Sequence, residues 1–168
     1  GTLDETLELL TLQQTGKAEP TPIVLLDAPG GRYWPGFERF VREELVSRGM
    51  VDRDDMARVL VTDSVDAARH EILQFWRNYH SLRWVGATLV LRLRAEPTDD
   101  EVAQLDERFA HLVASGRIAR TGPLGPARAS GDQVDLPRLR LVLDQHHVGD
   151  LHQLIRAVND LPSAPPLG

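Results

Sequence analysis

The sequence predicts an α/β fold with a parallel sheet and flanking helices, followed by a smaller α+β unit. Three observations carry this expectation. Short apolar runs at Pro22 to Asp27 and Val59-Leu60-Val61 read as buried parallel strands. Helical periodicities lie before, between and after them, as in an alternating α/β chain. Beyond Tyr79-His80 the pattern changes to strict alternation and then to a second helix–strand series.

The elements follow in order. Leu3, Leu7 and Leu10 recur at helical spacing, and Gly16 and Pro20 close that helix. The Pro22 to Asp27 strand leads into a turn-rich loop from Ala28 to Gly36 that carries Tyr33 and Trp34. Phe37, Phe40, Val41 and Leu45 mark a second helix, with Gly49 as its stop. After the Val59 strand, a helix from about Ser64 to Trp76 places Val65, Ala68, Ile72 and Phe75 on one side. In the second half, Trp84 to Arg94 alternates as one half-buried strand, and Thr98 to Ser115 is an amphipathic helix through Val102, Leu105, Phe109 and Leu112. Arg117 to Arg120 is expected as a brief strand and Thr121 to Pro137 as a Gly/Pro/Ser-rich loop. Leu139, Leu141 and Leu143 form another strand, and Leu151, Leu154, Ile155 and Val158 a last helix. The resulting strand–helix–strand–strand–helix order resembles most of a ferredoxin-like fold. The boundaries expected are 1–78 for the α/β part, 79–161 for the α+β part and 162–168 for a disordered, proline-rich tail.

Composition narrows the function. The 168 residues are 42% hydrophobic and 26% charged, ordinary for a globular protein. A net charge of −6 argues against a phosphate-backbone binder, so no nucleic-acid partner is expected. Cysteine is absent, which excludes disulfides, thiolate nucleophiles and Cys-bound metals within this segment. No run approaches the ~18 apolar residues of a membrane span, so no membrane partner is expected and the cytoplasm is the default location.

The first five residues, Gly1-Thr2-Leu3-Asp4-Glu5, carry the chemistry. A glycine followed at once by a helix, with a hydroxyl and a carboxylate in its first turn, suits an anion site. Helix N-terminal N–H groups bind phosphate, and a neighbouring carboxylate can act on what the phosphate carries. No Met precedes Gly1, the only two being Met50 and Met56, and the first helix lacks a strand to feed it. The chain is therefore expected to be the C-terminal part of something longer.

This segment resembles the second half of the Pro-Gly-Gly-x-Gly-Thr-x-x-Glu signature of the Lonely Guy (LOG) family, nucleotide phosphoribohydrolases historically labelled lysine decarboxylases. The resemblance continues through Leu12-Gln13-Gln14-Thr15-Gly16, Pro20 to Asp27, Tyr33-Trp34, Gly49-Met50-Val51 and Val59 to Asp63, covering Gly1 to Trp76. The C-terminal region looks like the extension of larger actinobacterial-type members.

The resemblance implies the C-terminal part of a Rossmann-like sheet. It also implies hydrolysis of the N-glycosidic bond of a nucleoside 5′-monophosphate, a cytokinin riboside monophosphate or an AMP-like one. It gives Glu5 the catalytic role and Gly1 and Thr2 the phosphate. It implies no cofactor and no metal, and a homodimer or higher homo-oligomer. Asp4 stands where many members carry another Glu and receives no role. The Pro-Gly-Gly start of the motif and the family's catalytic arginine have no counterpart within these residues.

Plainer readings compete. Thr2-Leu3-Asp4-Glu5 is also a capping box, and Thr98-Asp99-Asp100-Glu101 repeats the pattern as an internal control. His146, His147 and His152 suggest a metal but fit a solvated loop better. Asp52, Asp54 and Asp55 around Arg53 suit either Mg²⁺ or a polar turn. Arg69, Arg77 and Arg83 are candidates for a phosphate or for helix surface, and Trp34, Trp76 and Trp84 for base stacking or for core. Lys17, the sole lysine, lies in a surface turn and makes a poor Schiff-base residue. Two rivals to the enzyme stand: a non-catalytic nucleotide-binding regulatory protein, and a chain whose working part is the α+β unit as a sensing or dimerisation module.

Overall fold

The computed structural model describes residues 1–51, 53–125, 131 and 133–168. Within it the chain divides into two compact units, Gly1–Gln74 and Phe75–Gly168.

The first unit is α/β. Helix α1 (Thr2–Gln14) ends in a Schellman motif: Lys17 N–H reaches Leu12 O at 2.8 Å, Gly16 N–H reaches Gln13 O, and Gly16 takes φ 68°. Strands β1 (Ile23–Leu26) and β2 (Val59–Thr62) pair in parallel, Ile23 opposite Val59 and Leu26 opposite Thr62. Helix α2 (Tyr33–Phe40) runs on as a π-helical segment, Val41–Val46, and stops at Gly49. Tyr33 and Trp34, expected in a loop, thus open a helix, because Trp34 packs into the core beside Ile23 and Leu25. That core is small, with Leu9, Leu10, Phe37, Val59 and Val61 packed around it. Helix α3 (Val65–Phe75) is capped by Ser64, whose Oγ accepts the Ala67 N–H. Its expected single apolar face is only partly realised: Ala68 is buried, while Val65 and Ile72 are exposed.

The second unit is α+β, a four-stranded antiparallel sheet in the order β3–β4–β6–β5. Its strands are β3 (Tyr79–Val85), β4 (Thr88–Leu93), β5 (Val113–Arg120) and β6 (Arg138–Leu143). Helix α4 (Asp99–Arg108) joins β4 to β5, and α5 (Leu151–Asn159) follows β6. Three expectations are corrected here. The single strand from Trp84 to Arg94 is a hairpin, turned at Gly86 with φ 60°, and most of β3 lies before it. The order is therefore strand–strand–helix–strand–strand–helix. The helix expected from Thr98 to Ser115 ends at Arg108. Phe109 and Leu112 are buried as the pattern required, but through a short 3₁₀ turn that delivers Val113 into β5. Finally, the tail 162–168 is not disordered: Ser163 N–H reaches Glu101 Oε1 at 2.9 Å, and Arg77 Nε donates to Pro165 O at 2.6 Å. Of the expected 121–137 loop, residues 126–130 and Asp132 lie outside the described residues.

One face of the sheet, through Leu89, Leu91, Leu93, Leu139, Leu141 and Leu143, packs with Leu105, Phe109, Leu154, Ile155 and Val158 in one core. Two buried asparagines close it at the side. Asn159 Oδ1 accepts the N–H groups of Asn78 and Tyr79 at 2.8 and 2.7 Å, and its Nδ2 donates to Phe75 O. Asn78 Oδ1 accepts from Arg94 and Ala95.

Two stability predictions follow from this packing. Asn159→Ala leaves two buried N–H groups without an acceptor and should cost about 2–5 kcal/mol in denaturant unfolding. Phe109→Ala, at a site 2% exposed, should cost about 3–5 kcal/mol; a loss below ~1 kcal/mol would contradict the core described.

Candidate functional site

Topology places the sequence-predicted residues. The C-terminal end of α1 is tied to the approaches of both parallel strands. Gln13 Nε2 donates to Thr21 O just before β1, and Gln14 Nε2 donates to Asp55 Oδ2 at 2.6 Å just before β2. Leu9 and Leu10 then pack on the core beside Ile23 and Leu25. Gly1 to Glu5 consequently lie toward the carboxyl ends of β1 and β2, the end at which open α/β sheets bind ligands.

Gly1, Thr2, Asp4 and Glu5 are all exposed. Gly1 is the N-cap, and its carbonyl accepts the Glu5 N–H at 3.1 Å. No side chain caps the helix, so the N–H groups of Thr2, Leu3 and Asp4 face outward without an intrahelical acceptor. Glu5, three residues after Thr2, shares its side of the helix. The capping-box reading of this turn is thereby set aside, since Thr2 is the first helical residue and not the cap.

The internal control behaves oppositely. At Thr98 the box is complete: Thr98 N–H donates to Glu101 Oε2 at 2.7 Å and Glu101 N–H donates to Thr98 Oγ1. Burial raises the Glu101 pKa, but the donors of Thr98 and Ser163 outweigh it and hold the carboxyl below its ordinary 4.5.

Sequence reasoning missed the bracing of the loop that follows β1. Asp27, at the end of β1, accepts the N–H of Ala28 at 2.9 Å and of Trp34 at 3.0 Å. Asp63, just past β2, accepts the Gly30 N–H at 3.0 Å. Gly31 sits so close that a Cβ there would lie 2.1 Å from Asp27 Oδ1. The Asp-Ala-Pro-Gly-Gly sequence signalled a turn. Only the fold reveals that two strand-end aspartates hold it.

The remaining candidates find other partners. Asp55 engages Gln14 and Arg58; Asp52 and the Asp54 side chain lie outside the described residues. His152 is buried with Nδ1 2.9 Å from Gly149 O, and His147 Nδ1 lies 3.2 Å from Asp150. His146 is exposed on the same turn. No group of three or more potential metal ligands occurs among the described residues. Arg77 holds the carbonyls of Asn159, Ala164 and Pro165. Arg69 is exposed on α3 and Arg83 half-buried on β3. Trp34 is core, Trp76 stacks on Tyr79 at 5.5 Å, and Trp84 is 41% exposed on β3. Lys17 is exposed in the turn after α1. Among the described residues no helix is long and apolar enough to cross a membrane.

This is an α/β unit with a glycine-capped helix N-terminus and an aspartate-braced loop toward the same end of its sheet. Residues 1–72 match the family model described as "possible lysine decarboxylase", a match that spans nearly the whole first unit and none of the second. It supports that family for the first unit. No curated protein matches the chain.

The two carboxylates should separate in solution. Glu5→Gln should leave stability within ~0.5 kcal/mol, whereas Glu101→Gln should cost about 1 kcal/mol or more. Because the folded pKa of Glu101 is depressed, its contribution is complete above about pH 4.5 and lost as pH falls through the lower, folded value. Unfolding midpoints of wild type and Glu101→Gln should therefore differ at neutral pH and converge in acid.

Proposed function

We propose that the first unit supplies part of an active site that hydrolyses the N-glycosidic bond of a nucleoside 5′-monophosphate, AMP or a cytokinin riboside monophosphate. The observation that carries the reading is the exposed Glu5 beside the outward N–H groups of an uncapped helix. It stands at the ligand-binding end of a parallel sheet, in the stretch that matches the family model. In this reading the sheet is the C-terminal part of a Rossmann-like one. The second unit is a ferredoxin-like sandwich in permuted order, β3 preceding the βαββα series.

The N–H groups around Thr2 and its hydroxyl hold the phosphate, fixing the sugar relative to Glu5. As the C1′–N bond breaks, its electron pair leaves with the base and positive charge grows on the ribose. The Glu5 carboxylate stabilises that cation and accepts a proton from the water attacking C1′. The products are free base and ribose 5-phosphate. A second copy of the chain is the proposed partner, favoured by the exposed Leu26, Phe40, Met50, Val65 and Ile72. The nucleotide substrate points to the cytoplasm.

The decarboxylase description receives less support, since the sole lysine is exposed in a helix-ending turn and a Schiff-base lysine works by desolvation. A nucleotide-binding regulator that keeps the phosphate turn without the chemistry is the second reading; an upstream sequence lacking the family's arginine would favour it. The two separate in one assay. Glu5→Gln should lower kcat for ribose 5-phosphate release by roughly 10²-fold or more with nucleotide binding kept, and Glu101→Gln should leave turnover unchanged. Binding of monophosphates without any hydrolysis by the wild type would favour the regulator.

A further inference from the structure

We infer that Tyr33 is the base-stacking residue of this site, its ring forming the platform for the planar base of the bound nucleotide. The inference rests on the reading of the Gly1 to Glu5 turn as the phosphate site and adds the other end of the ligand.

Three observations carry it. First, α1 and α2 pack on the same side of the two-stranded sheet. Leu9 and Leu10 of the one, and Trp34 and Phe37 of the other, surround Ile23 and Leu25. Both helices begin at the carboxyl ends of the strands, α1 by its anchoring through Gln13 and Gln14, α2 because it follows β1 through a six-residue loop. The Tyr33 ring therefore stands at the same end of the same layer as Thr2 and Glu5. Second, of the adjacent aromatic pair, Trp34 is 7% exposed and belongs to the core, whereas Tyr33 is 57% exposed. The rings meet edge to face, centroids 4.8 Å apart and planes at 77°, which fixes the tyrosine while leaving ring surface in solvent. Third, the mount is rigid. Asp27 takes the Trp34 N–H, Asp63 takes the Gly30 N–H, and Gly31 leaves no space beside Asp27. A large aromatic held in water at the start of a helix behind a braced loop loses little entropy when a base covers it.

The ligand this recognises is one with a flat π-face joined through a sugar to a phosphate. Stacking tolerates any base, so the tyrosine provides affinity for the base end, and its selectivity among bases is low. It is a binding residue, with no part in proton transfer.

The test measures AMP and ribose 5-phosphate binding separately by calorimetry, on the Glu5→Gln background so that AMP is not consumed. Tyr33→Ala should weaken AMP by roughly 5- to 150-fold, the range given by base–aromatic stacking, and leave ribose 5-phosphate unchanged. Tyr33→Phe and Tyr33→Trp should retain AMP binding, and the Tyr33→Trp fluorescence should respond to AMP but not to ribose 5-phosphate. Tyr33→Leu keeps an apolar contact on Trp34 without a π-face and should behave as Tyr33→Ala; it serves where the alanine variant unfolds. Equal weakening of both ligands, or of neither, overturns the stacking role while the phosphoribohydrolase reading survives through the kcat loss of Glu5→Gln. A wild-type protein that binds neither ligand overturns both.

Discussion

The polar constraint on which the closure of the second unit depends is the Asn78–Asn159 contact. Two asparagines, 0% and 1% exposed, satisfy backbone groups where the start of β3, the end of β4 and the end of α5 meet. None of those groups can pair within its own element, since the first sits in the turn after α3, the second beyond the hairpin ladder and the third at a helix C-terminus. An apolar residue at Asn159 would fill the volume and strand the N–H groups of Asn78 and Tyr79. Each amide instead offers an acceptor to two N–H groups, and Arg77 adds its guanidinium to the carbonyls of the same corner. The leucine-rich core supplies the larger free energy, but it is non-directional. The asparagine corner determines which chain segments close it, and in that sense specifies the topology.

The tail is tied by related means. Glu101 serves its capping box with one oxygen and Ser163 with the other, so one carboxylate both starts α4 and holds the C-terminal segment. Sequence alone reads three prolines there as disorder, because proline removes donors and resists regular structure. What that reading lacks is the acceptor role: the Pro165 carbonyl remains available, and Arg77 takes it. Order here comes from side chains distant in sequence.

That distinction describes what was legible in the chain. The two parallel strands, α5 and the glycine-terminated helices α1 and α2 could be read because their signals are local: apolar runs, 3.6-residue spacing, and glycines where φ turns positive. The β3–β4 hairpin was missed because alternation continues through its turn, Val85 and Ala87 falling in phase on either side of Gly86. The α4 end was overrun because a 3₁₀ turn buries Phe109 and Leu112 as a helix would. In the candidate site, the roles proposed for Gly1, Thr2 and Glu5 rest on the family resemblance of the Gly1 to Glu5 segment. The bracing by Asp27 and Asp63 was not legible, since two aspartates 36 residues apart in sequence become neighbours of one loop only when β1 and β2 pair.

The two Thr-x-x-Glu turns share a pattern and differ in structure. Their four-residue patterns match, yet at Thr98 the threonine is the N-cap and the box closes on itself, leaving Glu101 buried and engaged. At Thr2 the preceding glycine has taken the cap position, which shifts the register by one residue and opens the turn. Glycine caps a helix with backbone alone and offers no side-chain oxygen to the following N–H groups. Those donors are left for something outside the helix, and the glutamate that would have reached back stays in solvent. A cap that stabilises its helix consumes the same groups that would bind an anion. In the proposed site those N–H groups, to which Gly1 offers no side-chain oxygen, are the ones that would hold the phosphate.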